Sequence, residues 1–381
     1  MNPVYLDYAA TTPVDERVLQ AMKPYFCERF GNASSLYSWG REARKAVAEA
    51  REKVAALLQA SPSEVYFTSG GSESDNWAIK GAAFALRRAG RGKHIITSCV
   101  EHHAVLNACR WLEQEGFEVT YLPVDKNGRV LPEQVFDALR DDTVLVSIMT
   151  ANNEVGTIEP IAEIGRRMQE QQIFFHTDAV QAAGHIPIAV DELHVDALSL
   201  SGHKLYGPKG VGALYLRRGS SLDSLVHGGP QEREMRAGTE NTAGIVGLGQ
   251  AAELAKQEMS DEWERLSDLR DMLIAAVREL GDSWINGDEK YRLPGHVSFG
   301  LRGISQDTLL IRLDMAGFAV SAGSACSAGA LEPSHVLLAM GQTKEQASSA
   351  IRVTLGRFTS VEEVQRFIRK LSLLVGAIRG R

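Results

Sequence analysis

At 381 residues the chain can bury more than one core, and 44% hydrophobic with 23% charged residues excludes a disordered or fibrous protein. A net charge of −7 without any Lys/Arg-rich run excludes the electrostatic footprint of a direct nucleic-acid or anionic-membrane binder. The first residues lack the basic and apolar runs of a signal peptide, and no stretch reaches membrane-spanning length, so a cytoplasmic protein is expected. The four cysteines, Cys27, Cys99, Cys109 and Cys326, include no pair at zinc or redox spacing, so no metal site is expected. The first three lie in apolar-patterned segments and are expected to act as small buried hydrophobes.

In residues 41–59, Ala43, Val47, Ala50, Val54, Leu57 and Leu58 recur at steps of three and four, which predicts a helix that stops before Pro62. Short apolar runs then alternate with helical stretches, at 65–68, 94–98, 119–122, 144–149, 173–176, 197–200 and 212–216. That rhythm predicts an α/β fold with a mostly parallel sheet covered by helices on both faces. One helix is expected to end near Lys256, and a charged helix over 261–280 opens a second group of helices and strands. The last helix begins with Ser360 and Glu363 in capping-box spacing and then buries Val364, Phe367, Ile368 and Leu371.

Candidate chemistry gathers at strand ends. Lys204 follows the strand 197–200 within Ser201-Gly202-His203-Lys204, and in such sheets ligands collect at the carboxyl ends of strands. A lysine held there among small residues can form an imine with an aldehyde cofactor; a surface lysine in a Gly-rich turn is the alternative. Asp178 ends the preceding strand, so it should emerge at the same sheet edge as Lys204. Its carboxylate can keep a pyridine nitrogen protonated, or serve as a helix N-cap. Residues 68–72, Thr-Ser-Gly-Gly-Ser, join a strand to a helix, where backbone N–H groups and the Ser72 hydroxyl suit an anion. They have neither the lysine of a P-loop nor the spacing of a dinucleotide fingerprint.

These residues, with LDYAATTP, EHHAV, ANNEVGT and RAGTEN in order along the chain, resemble the cysteine desulfurases of the class-V aminotransferase group, enzymes that use pyridoxal 5'-phosphate (PLP). The resemblance runs from Tyr5 to about Phe358. It implies a PLP-dependent transferase fold of the aspartate aminotransferase type. Residues 16–258 would form a large PLP-binding domain, and 1–15 plus 259–381 a smaller α+β domain. It further implies that His102 lies over the cofactor ring and Gln181 bonds its phenolic oxygen. Gly71, Ser72, Ser201 and His203 would bind the phosphate, with Thr239 reaching it from the partner of a homodimer, and Asn153 would help hold L-cysteine.

Cys326 sits in residues 320–330, a run of small side chains expected to be mobile and exposed, where a thiol is accessible. The segment is similar to the nucleophile loop of the housekeeping and nitrogenase-type branch, which implies that Cys326 takes sulfur from L-cysteine as a persulfide and leaves L-alanine. A sulfur-acceptor protein is then implied, such as an iron-sulfur scaffold or a tRNA-thiolation protein. Arg352 lies in an otherwise apolar strand, where an unpaired guanidinium would be costly. A bidentate bond to the substrate carboxylate would explain it, and a structural salt bridge is the competing account.

Overall fold

The computed structural model describes residues 3–322 and 333–380. A seven-stranded sheet runs in the order Val65–Thr68, Gly212–Leu216, Ala197–Ser201, Phe174–Asp178, Thr143–Ser147, His94–Ser98 and Glu118–Leu122. All share one direction except Gly212–Leu216, which is antiparallel to both neighbours. Successive strand residues point to opposite faces. Ile95, Leu145, Phe174 and Ala197 therefore pack with the helices Gly71–Arg88 and His103–Gln114. Their neighbours Ile96, Val146, Phe175 and Leu198 pack on the other face with Ser38–Leu58, Ile161–Glu170 and the first half of Thr242–Glu279.

A second core lies on an antiparallel sheet ordered Ser321–Ala322, Ala350–Thr354, His296–Leu301 and Ser283–Asn286. The helices Gln306–Met315 and Val361–Ile378 cover it, the latter closed by the expected capping box of Ser360 and Glu363. The chain start joins this core: Val4–Tyr5 pairs in parallel with Phe318–Ala319, and Val4 and Leu6 are buried in it.

Two expectations are corrected here. The helices expected to end near Lys256 and to begin at Asp261 are one continuous 38-residue helix, Thr242–Glu279. The polar run between them, Lys256-Gln257-Glu258-Met259-Ser260, contains no Gly or Pro, and most of its residues favour a helix, so the change of surface chemistry there is not a break. Of the three apolar-segment cysteines only Cys109 is buried, Cys99 is partly covered and Cys27 is exposed. Cys27 ends a four-residue helix, Pro24–Cys27, none of whose residues is buried. Among the described residues, no helix is long and apolar enough to cross a membrane.

Candidate active site

Asp178 and Ser201 end neighbouring parallel strands, with Asp178 opposite Ser199, and a single helical turn, Gly202–Lys204, carries Lys204 past the sheet edge. There they meet a cavity of about 410 Å³. Gly71, Ser72, His102, Asn153, Asp178, Gln181, Ser201, His203, Lys204 and Arg352 all line it, as do Asp75, Ala9 and Ala10.

The N-terminal segment builds the wall around Lys204. The Thr12 N–H and hydroxyl both donate to the His203 carbonyl at 3.0 Å, and the Thr12 hydroxyl oxygen accepts from the Tyr206 N–H at 2.9 Å. Thr11 Oγ1 lies 3.1 Å from His203 Nδ1. This clamps the turn so that the Lys204 ammonium donates to the carbonyl of Ala10 at 2.8 Å and to that of Ala9. Gln181 Nε2 donates to the same Ala9 carbonyl at 2.9 Å. Burial holds the His203 imidazole down at about 4, aided by the charges of Lys204 and Lys209, so it is neutral at physiological pH.

Asp178 is buried. Burial pushes its carboxyl above the usual range against the opposing pull of His102, the Val180 N–H and Lys204. Its Oδ1 accepts from the Val180 N–H at 2.8 Å, so it also acts as the cap considered from sequence. Beside it stands a residue that sequence reasoning missed, Asp75, whose ligand atoms lie within 4.8 Å of those of Asp178 and His102. Burial, then the charge of Asp178, raises Asp75 well above the ordinary carboxyl value. His176 backs the pair: its Nδ1 lies 2.9 Å from Ser147 Oγ and its Nε2 3.0 Å from Ser199 Oγ, and burial lowers its imidazole to about 3.

At the opposite end, Gly70 and Gly71 open the Gly71–Arg88 helix. Gly70 has φ +154°, and a Cβ on Gly71 would fall 2.6 Å from Val180 Cγ2, so both positions require glycine. The Gly70 N–H donates to Thr68 Oγ1 at 3.3 Å, whereas those of Gly71 and Ser72 lie in a first turn without intrahelical acceptors, next to the Ser72 and Ser201 hydroxyls, which makes an anion cradle.

His102 caps the helix His103–Gln114 by accepting the Ala104 N–H on Nδ1 at 3.1 Å. Arg352 makes the salt bridge considered from sequence. It is 2% exposed, its Nη2 donates to Asp7 Oδ1 at 2.8 Å and its Nη1 to the Asn153 carbonyl at 3.0 Å, and among the described residues its Nε has no acceptor. Thr239 is exposed and does not line the cavity of its own chain. Cys326 lies outside the described residues. The flanking chain does approach the cavity: Ser321 is paired with Arg352 across the sheet, and Ser334 donates its hydroxyl to buried Glu154, the neighbour of Asn153.

Residues 4–367 match the family model for aminotransferase class-V. The chain is 54% identical over 377 residues to the cysteine desulfurase IscS of Dictyoglomus turgidum, covering 99% of this chain and 95% of that protein. A solved NifS-like protein superposes with a TM-score of 0.93 at 40% identity, covering 98% and 100% of the two chains. SspA, solved in complex with cysteine, superposes with a TM-score of 0.83 at 39% identity over 94% and 100%. The likeness spans both cores and the cavity between them, and the chain belongs to the class-V aminotransferases, in their cysteine desulfurase branch.

Proposed function

We propose that the protein is a PLP-dependent cysteine desulfurase that takes sulfur from L-cysteine, releases L-alanine and holds the sulfur as a persulfide on Cys326. One observation carries this reading. A single cavity joins Lys204, the buried Asp178 carboxyl and a glycine-built anion cradle, the three anchors that match an aldehyde, a pyridine nitrogen and a phosphate. Among the described residues the buried Asp75 Oδ1, which faces His176 at 3.6 Å, has no hydrogen-bond partner, so the wall behind Asp178 is polar. The cysteine complex of the related SspA supports the choice of substrate.

When bound, PLP supplies an aldehyde that accepts amines and a protonated ring that takes up electron density from the substrate α-carbon. The protein's residues do the rest. Asp178 would hold a proton at the ring nitrogen, and His102 and Gln181 would hold the ring and its phenolic oxygen. Gly71, Ser72, Ser201 and His203 hold the phosphate, with Thr239 of the partner in a homodimer. Arg352 and Asn153 orient the cysteine carboxylate, and Lys204, as a neutral amine, moves the α-proton. The Cys326 thiolate attacks the substrate sulfur: a sulfur-sulfur bond forms as the carbon-sulfur bond breaks. Cys326 is four residues beyond Ala322, at most about 14 Å of extended chain, and Ala322 adjoins the strand that carries Arg352.

In this reading residues 16–258 bind the cofactor, while 1–15 and 259–381 carry the Cys326 loop. The persulfide passes in the cytoplasm to an acceptor such as an iron-sulfur scaffold or a tRNA-thiolation protein. The test is spectroscopic and chemical. The purified protein should carry a visible chromophore that borohydride fixes to Lys204, and brief exposure to cysteine should add one sulfur to Cys326, both mapped by mass spectrometry. A colourless protein with no adduct after incubation with PLP would overturn the reading.

A further inference from the structure

The first turn of the Gly71–Arg88 helix contains a carboxylate, Glu73, two residues after the glycine of the anion cradle. An acidic side chain is welcome at a bare helix N-terminus but works against an anion bound there. Glu73 nonetheless braces the strand-to-helix turn that brings Gly71 to the cavity, because its Oε2 accepts the Ser69 N–H at 2.9 Å. Its charge is met by Arg236, whose Nε reaches Glu73 Oε1 at 2.8 Å and whose Nη2 reaches Oε2 at 3.1 Å. The pair is sheltered, with side chains 23% and 14% exposed, and two-pronged, unlike a solvated surface contact. Burial would raise the Glu73 carboxyl, but the bonds from Arg236 and Ser69 outweigh it and hold it below the usual range.

Arg236 is also delivered by an unusually constrained stretch. Glu232, Arg233 and Glu234 have φ of 46°, 58° and 68°, three consecutive residues in the left-handed region that non-glycine residues avoid. Local bonds hold them there. Glu232 accepts both prongs of Arg51, at 2.7 and 2.8 Å, and the Phe67 N–H at 3.0 Å, while Arg233 donates to the Val65 carbonyl at 2.8 Å. Both anchor points, Val65 and Phe67, belong to the strand that leads into the cradle. Backbone strain of this kind persists only where the surroundings enforce it, and its result here is a guanidinium fixed against the cradle's own carboxylate.

We propose that Arg236 is a positioning residue of the phosphate site: it neutralises Glu73, so that Glu73 can brace the cradle without repelling the phosphate of the bound cofactor. This deepens the PLP reading and rests on it. The signature is electrostatic and specific to the phosphate. Arg236→Gln should release PLP from the holoenzyme and weaken its rebinding by about tenfold, the effect of one uncompensated charge beside a phosphate. Binding of pyridoxal, which has the same ring and aldehyde without phosphate, should change less than about twofold, since the neutral ligand has no charge for Glu73 to repel. The double variant Glu73→Gln/Arg236→Gln should recover most of the PLP affinity, and Arg236→Lys should keep it. PLP and pyridoxal affinities are read by absorbance titration after cofactor removal.

Equal loss of PLP and pyridoxal in Arg236→Gln, or a double variant as weak as the single, would overturn the proposal and leave Arg236 a simple anchor. Should Arg236→Gln fail to fold, Glu73→Gln alone decides: PLP affinity retained or raised supports the proposal, and a tenfold loss defeats it. Wild-type protein that bound neither ligand would instead defeat the cofactor reading itself.

Discussion

Arg352→Ala separates two jobs that the structure gives to one side chain. Arg352 is 2% exposed and its Nη2 meets the Asp7 carboxylate, which is itself 16% exposed, at 2.8 Å. Removing the guanidinium strands a sheltered carboxylate, for which a loss of about 3 kcal/mol in stability is expected. Asp7 limits that cost by taking up a proton, because burial already raises its carboxyl and Arg352 is the first group that holds it down. A separate loss falls on substrate: two charge-assisted bonds to a carboxylate are worth about 2 kcal/mol net, or about 30-fold in cysteine affinity. The assay is a cysteine titration of the chromophore in a Cys326→Ser background, where turnover is blocked, alongside urea unfolding. Asp7→Asn supplies the control, since it removes the salt bridge and leaves the guanidinium: cysteine should bind as tightly or more tightly, although stability falls. If Arg352→Ala binds cysteine like the parent while losing stability, the residue is a salt bridge and the substrate role is refuted.

Three further outcomes are expected. Asp178→Asn keeps the cap to Val180 but cannot hold a ring proton, so alanine release should fall by about 10²-fold or more in a folded protein; near-normal turnover would leave Asp178 a cap only. Cys326→Ser should retain PLP and still bind cysteine, yet yield neither alanine nor protein-bound persulfide, because a hydroxyl is a poor nucleophile towards sulfur; unimpaired alanine release would refute the sulfur-transfer step. Glu101, fully buried beside Met149, has its carboxyl pushed up to about 8 by burial, against about 4.3 in an unfolded chain. Between those values the folded chain keeps a proton that the unfolded chain has lost, so its contribution to stability falls as pH rises and is lowest above about 8. Glu101→Gln, which keeps an oxygen for the Ser98 hydroxyl and Met149 N–H, should therefore stabilise more at pH 8 than at pH 5 in urea unfolding, and equal shifts at the two would refute the assignment.

The sheet and its strand ends were readable because their signals are local: apolar runs, glycines after strands, and Asp178 and Lys204 at the ends of successive strands. Arg352 could be flagged, since a charge in an apolar strand demands an explanation, but its partner could not be found. Asp7 is 345 residues away and meets it only after the chain start folds onto the second core. Asp75 escaped for a different reason. In Ser72-Glu73-Ser74-Asp75-Asn76 it reads as one more polar residue in a helix, and only the packing of that helix over the sheet buries it beside His176. The Ala9 and Ala10 carbonyls that receive the Lys204 ammonium have no side-chain signal at all. The long helix was divided in error because a change from apolar to charged surface looks like an end when it is only a change of neighbours.

That helix has a mechanical consequence. Thr242–Glu279 is about 57 Å long at 1.5 Å per residue; Met259 and Trp263 still press on the first core, and Leu266 is already inside the second. A rigid rod clamped at both ends leaves no slack joint between the two bodies along this connection. Prising them apart would mean bending the rod and giving up backbone hydrogen bonds at about 1 kcal/mol each. Strain applied to one body is thereby delivered to the other, and melting should register as a single cooperative event despite the presence of two cores. The clearance that a substrate needs must then come from segments that are not fastened to the rod.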